Sequence, residues 1–106
     1  MSKFNIKQND TSPAIKTQLT DASGTAIDIT GASVKFHLTD DDTTVVNSSA
    51  TITDASNGKV KYEWSASDTT EAGTYKAEFE VTYSDGSIET FPNTGFITLE
   101  IHVEGA

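Results

Sequence analysis

Apolar and polar side chains alternate at a period of two along most of this chain, the spacing at which successive residues project to opposite faces of a β-strand. The clearest run covers residues 75–83, where Tyr75, Ala77, Phe79, Val81 and Tyr83 share one face while Lys76, Glu78, Glu80 and Thr82 share the other. The same alternation marks Ile15/Thr17/Leu19, Val34/Phe36/Leu38, Val60/Tyr62/Trp64 and Ile97/Leu99/Ile101/Val103. Shorter strand candidates stand at Phe4/Ile6, Ile27/Ile29, Ala50/Ile52 and Ile88/Thr90. No segment sustains the 3.6-residue period of a helix. Residues 68–73, with Asp68 as N-cap and Gly73 as stop, are expected to form one capped turn at most.

Turn chemistry separates these runs. Residues 19–24 and 52–58 repeat one device, an Asp or Ser that bonds its own backbone followed by a Gly free to adopt positive φ. Ser84-Asp85-Gly86 between two alternating runs is a hairpin signal, and Phe91-Pro92-Asn93-Thr94-Gly95 breaks the chain before the last strand. About seven to nine short strands at such spacing predict an all-β fold, an antiparallel immunoglobulin-like β-sandwich. Two sheets laid face to face bury every apolar side at once, whereas one open sheet would leave a broad apolar face in water. Residues 1–106 are expected to form a single domain, since no linker or composition shift divides them.

Composition narrows the chemistry. There is no cysteine, which excludes a disulfide framework, a thiolate metal site and a thiol nucleophile. Net charge is −9, and all seven basic residues are lysines. Without the bidentate guanidinium that reads phosphate and guanine, and with charge of the repelling sign, nucleic acid and anionic membranes are not expected partners. Residues 1–5 open no apolar run of signal-peptide length, so export by that route is not expected.

Candidate catalytic groups do not converge. His37 lies between Phe36 and Leu38, and His102 between Ile101 and Val103, so both are expected on outward strand faces, solvated and unable to gather a metal. No serine sits in a Gly-x-Ser-x-Gly elbow. Asp40-Asp41-Asp42 could offer oxygen ligands to Ca²⁺, but its spacing is not that of a calcium loop, and a solvated acidic turn is expected. Glu78 and Glu80 share an outward face with lysine neighbours, unlike a glycosidase carboxylate pair in a cleft. Tyr62 and Trp64 could stack on a sugar ring, yet their alternation with Lys61 and Glu63 assigns them to the core. Catalytic residues, metal ligands and cofactors are therefore expected to be absent.

The run Glu71-Ala72-Gly73-Thr74-Tyr75-Lys76-Ala77 resembles the Asp-Ala-Gly-x-Tyr-x-Cys motif of immunoglobulin domains, with Ala77 in the cysteine's place. The resemblance implies a tyrosine corner at Tyr75, whose ring enters the core while its hydroxyl bonds to upstream backbone. Trp64 stands only eleven residues before Tyr75 and so does not match the immunoglobulin tryptophan. A wider resemblance rests on Asn9-Asp10-Thr11-Ser12-Pro13, Leu19-Thr20-Asp21, Ile29-Thr30-Gly31-Ala32, Gly58-Lys59-Val60-Lys61-Tyr62, the run from Gly73 to Val81, and Phe91-Pro92-Asn93-Thr94-Gly95-Phe96. In order and spacing these are similar to the N-terminal domain of phage baseplate upper proteins. That family implies a sandwich that anchors receptor-binding parts to a tailed-phage baseplate. Its members continue into a long oligomerisation region, whereas this chain stops at Ala106, so an excised domain or a small virion protein is expected.

The implied function is that of a non-enzymatic structural module of the virion. It would dock onto a tail, baseplate, neck or head component after assembly in the host cytoplasm, as an oligomer within the particle. Expected docking residues are Phe4 and Ile6 on a short N-terminal strand able to pair with a partner's sheet edge, and Phe91 and Phe96, which fall off the inward alternation of their strands. Alternatively, both phenylalanines cap the open end of the sandwich. Tyr75, Phe79 and Trp64 are expected in the core. The alternative function is a surface-displayed adhesin binding cell-wall carbohydrate or a host protein.

Overall fold

The computed structural model describes residues 3–41 and 43–105. Its strands are β1 (Lys3–Lys7), β2 (Ile15–Gln18), β3 (Ser33–Asp40), β4 (Thr43–Ser49), β5 (Thr51–Asp54), β6 (Lys59–Tyr62), β7 (Gly73–Thr82), β8 (Ile88–Phe91) and β9 (Ile97–His102). They form two sheets. The larger runs β1-β9-β7-β3-β4 with β8 also paired to β7, and the smaller runs β2-β6-β5. This is the expected all-β sandwich, with one departure from an antiparallel fold: β1 lies parallel to β9.

Burial follows the alternation. In β7, Tyr75, Ala77, Phe79 and Val81 are buried, while Glu78, Glu80 and Thr82 on the other face are only partly covered. Phe36 of β3 is fully buried and reaches across to the small sheet, stacking on Tyr62 at 4.5 Å and meeting Trp64 edge-on at 5.4 Å. Its neighbour in the large sheet, Phe79, lies 5.1 Å away. These rings join the two layers, and burying a phenylalanine of this kind contributes roughly 1.5–3 kcal/mol.

Several local features differ from the periodicity. Strand β4 has a single buried residue, Val46, so its edge position leaves no alternation to read. Ile27 and Ile29 lie outside the named strands; their N–H groups donate to the carbonyls of Leu19 and Ala55, and Ile29 plugs the core from a loop. In β8 the inward register is shifted by one: Ile88 is 62% exposed, while Phe91 pairs with Phe79 and is buried. The short helical turn is a 3₁₀ turn at Ala66–Thr69, earlier than expected, with Ser65 as its N-cap and Asp68 in a reciprocal capping box. Asp68 therefore closes the turn from inside rather than opening it.

Candidate docking cleft beside strand β2

A ten-residue β7 creates the opening. Strand β3 pairs along one of its edges, but the other edge is shared: β9 pairs with Gly73–Ala77 and β8 with Phe79–Thr82. Between β8 and β9 the chain leaves the sheet through the loop from Pro92 to Phe96. The small sheet is too narrow to close over that gap, since β2 ends it and pairs only with β6.

The result is a cavity of about 360 Å³. Thr17, Gln18, Leu19 and Thr20 form one wall, Phe91, Pro92, Thr94 and Phe96 the other, and Phe79 and Ile97 close it from the core side. Among the described residues no titratable side chain lines it. Such a lining offers apolar contact and hydroxyl or amide hydrogen bonds.

Charge is arranged on the outer face beside this cleft. In the β2–β6 register Lys16 stands directly opposite Lys61, and Gln18 opposite Lys59. Lys61 has a loose ion pair with Glu63 at 3.6 Å. A shallower depression of about 260 Å³ lies between Lys16, Gln18, Thr53 and Lys59. The nearby carboxylates are held in their own turns. Asp21 accepts from the Ser23 and Thr25 amides at 2.9 and 3.0 Å, and Asp54 accepts from the Asn57 amide group at 2.9 Å. Glu89 accepts from the Tyr83 hydroxyl at 2.7 Å and from Asn93 at 3.1 Å. The Ser23 hydroxyl and the Asn57 side chain, as the strongest donors, hold the Asp21 and Asp54 carboxyls below the usual range.

The four residues expected at a docking surface divide evenly. Ile6 is 4% exposed and Phe91 2%, so both face the core; Ile6 lends nothing to a surface, and Phe91 contributes only as part of the cleft wall. Phe91 is inward because the β8 register is shifted, and Ile6 because β1 adds to the same sheet face as β9. Phe4 is half-buried with its ring 6.0 Å from Trp64, and Phe96 is half-buried under the Lys76 ammonium, 5.1 Å from the ring centre. Tyr75, Phe79 and Trp64 are all buried; Tyr75 donates its hydroxyl to the Glu71 carbonyl at 2.8 Å, and Trp64 Nε1 donates to the Pro13 carbonyl at 3.1 Å.

The histidines stay apart. His102 is exposed and exchanges a 2.9 Å hydrogen bond with Asn5, as an outward residue should. His37 is on the outer face too, but it is not fully solvated: Nε2 is buried without a partner between the flanking β4 and β7 positions Asn47 and Glu78. Among the described residues no cluster of three or more His, Asp or Glu side chains could hold a metal. Asp42, part of the acidic turn weighed for Ca²⁺, lies outside the described residues.

Alternation could not reveal the cleft, because Thr17, Gln18 and Thr20 look like ordinary strand and turn positions. The lysine cluster left a fainter signal. Lys16, Lys59 and Lys61 all fall on polar strand faces in the sequence, yet only the β2–β6 register makes them neighbours.

The fold is an all-β sandwich with a cleft on its open side. The family model described as the BppU N-terminal domain matches residues 2–97, and the chain belongs to that family of phage baseplate structural proteins. It is thus a virion component that meets other phage structural proteins. CopC from Methylosinus trichosporium OB3b is a structural neighbour at a TM-score of 0.56 and 15% identity, covering 100% of this chain and 89% of that one. At that identity the likeness concerns the fold. No curated protein matches the chain.

Proposed function

We propose that this chain is a non-enzymatic docking module that attaches one baseplate or tail component to another. The observation that carries this reading is the cleft between the single-sided strand β2 and the Phe91–Phe96 region, lined among the described residues by aromatic and hydroxyl groups and by no titratable side chain. Phe96 at its lip is the anchor, and Phe4 beside the free edge of β1 is a second contact. On this reading the chain is incorporated in the host cytoplasm and stands in several copies in the particle.

Co-expression with the proteins encoded beside it, followed by co-purification and size-exclusion chromatography, tests the proposal. A defined complex that is weakened by Phe96→Ala is the expected result. A chain that co-migrates with no baseplate or tail protein, and instead binds sugars on a glycan array, would make it an adhesin.

A further inference from the structure

We infer that the cleft receives an extended acidic segment of a partner protein, which adds as a strand along the free edge of β2. This rests on the docking reading and names the chemistry of what docks. Among the described residues strand β2 pairs on one side only, so along its other edge alternate N–H and C=O groups have no strand partner there. An added strand would direct every second side chain inward, where the cleft of about 360 Å³ between Leu19 and Phe96 accommodates an apolar group. Its other side chains would lie outward, beside Lys16 and Gln18.

That outer position selects charge. Like charges directly opposite on paired strands oppose folding, yet Lys16 faces Lys61 with Lys59 two pairs further along β6, where it stands opposite Asp54, in a chain whose net charge is −9. Among the described residues neither Lys16 nor Lys59 makes an ion pair within 4.0 Å. Lys16 on the edge strand, with Lys61 beside it on β6, repels a basic strand that would pair there. An acidic strand is attracted by the same pair, so the lysine that guards the edge also chooses its occupant.

The test uses the full chain and two synthetic peptides, one alternating Glu with Val and Phe, the other its Lys counterpart. Fluorescence anisotropy at low salt should show the acidic peptide binding at least tenfold more tightly, with binding weakened by added salt. Amide shifts should centre on residues 16–20 and 91–97. N-methylation along one peptide edge should abolish binding while methylation of the other edge is tolerated, and Lys16→Glu/Lys59→Glu should reverse the charge preference. Equal or absent binding of the two peptides, shifts centred on β1 or β4, or indifference to N-methylation would overturn the inference. If Lys16→Glu/Lys59→Glu still co-purifies with the baseplate partner at wild-type yield, docking stands and strand addition at β2 falls. If the wild-type chain co-purifies with no virion protein, the docking reading itself fails and the inference with it.

Discussion

Tyr75 donates its hydroxyl to the carbonyl of Glu71, four residues upstream and 2.8 Å away, while the residue as a whole is buried in the core at 6% exposure. One side chain thereby fastens the loop before β7 to the layer beneath it. Two substitutions separate the contributions. Tyr75→Phe keeps the ring and loses the bond, and should cost about 1 kcal/mol. Tyr75→Ala loses both and should cost about 3–5 kcal/mol. Urea midpoints measure the difference, and a Tyr75→Ala midpoint equal to wild type would show that the corner carries no stability.

Gly58 and Gly24 end turns of similar sequence, but their surroundings differ. A Cβ on Gly58, at φ +65°, would stand 2.6 Å from the Ile27 carbonyl oxygen and 2.8 Å from that of Leu19. A Cβ on Gly24, at φ +90°, would meet nothing within 4 Å. Gly24→Ala should therefore cost only the backbone strain of about 1–2 kcal/mol, whereas Gly58→Ala adds two backbone collisions and should exceed it by at least about 1 kcal/mol. Equal thermal stability of the two variants would contradict this.

That pair also shows what was legible in the sequence. Both turns were readable from Asp, Ser and Gly, since their bonding is local. That the two segments touch, with the Leu19 N–H donating to the Gly58 carbonyl at 2.7 Å, is a tertiary fact with no local signal. Strands β2, β3, β6, β7 and β9 were visible because one face of each is apolar. Strand β4 was not, because an edge strand with one buried residue needs no pattern. The β8 register was misread because Glu89 shares the inward side with Phe91, its carboxylate taken up by Tyr83 and Asn93 at the open side of the sandwich. The cleft lies where these non-local features meet, and for that reason alternation was silent about it.

High pH should weaken the fold through two tyrosines. Burial, aided by a hydrogen bond to Asp68, pushes the Tyr62 hydroxyl up to about 12; burial and the Glu89 carboxylate do the same for Tyr83. A folded-state value above the unfolded one, near 10, means that the folded chain holds its protons longer. The resulting stability is fully present below pH 10 and is lost as pH rises through about 12. Urea midpoints should fall across this window, and Tyr62→Phe/Tyr83→Phe should flatten the fall. An equally steep fall in the double variant would assign alkaline sensitivity to other groups.

Low pH acts through exposed turns. Hydrogen bonds from Ser23, Thr30 and Ser87 hydroxyls, the largest cause in each case, lower the Asp21, Asp28 and Asp85 carboxyls below 3.8. Each turn's contribution is present above the ordinary carboxyl value and disappears as pH falls through the lowered one. Thermal midpoints should drop below pH 4, and Asp21→Asn should reduce the drop. A midpoint that is flat from pH 5 to 2 would show that these turns do not couple to folding.

The last prediction concerns how the layers are held together. Phe36 belongs to the large sheet and Tyr62 to the small one, and their rings stack 4.5 Å apart at an interplanar angle of 12°. Stacked aromatic pairs contribute about 0.5–1.5 kcal/mol beyond the area they bury. A double-mutant cycle with Phe36→Leu and Tyr62→Leu isolates that coupling, because each variant keeps an apolar group in place of the ring. Tyr62 also donates to Asp68 at 2.5 Å, so Tyr62→Phe must be measured in parallel to subtract the hydroxyl's contribution. A coupling of about 1 kcal/mol would mean that the sheets are joined by specific ring geometry. Strict additivity would mean that general apolar burial alone joins them, and the cleft-side residues could then be altered without regard to the aromatic centre.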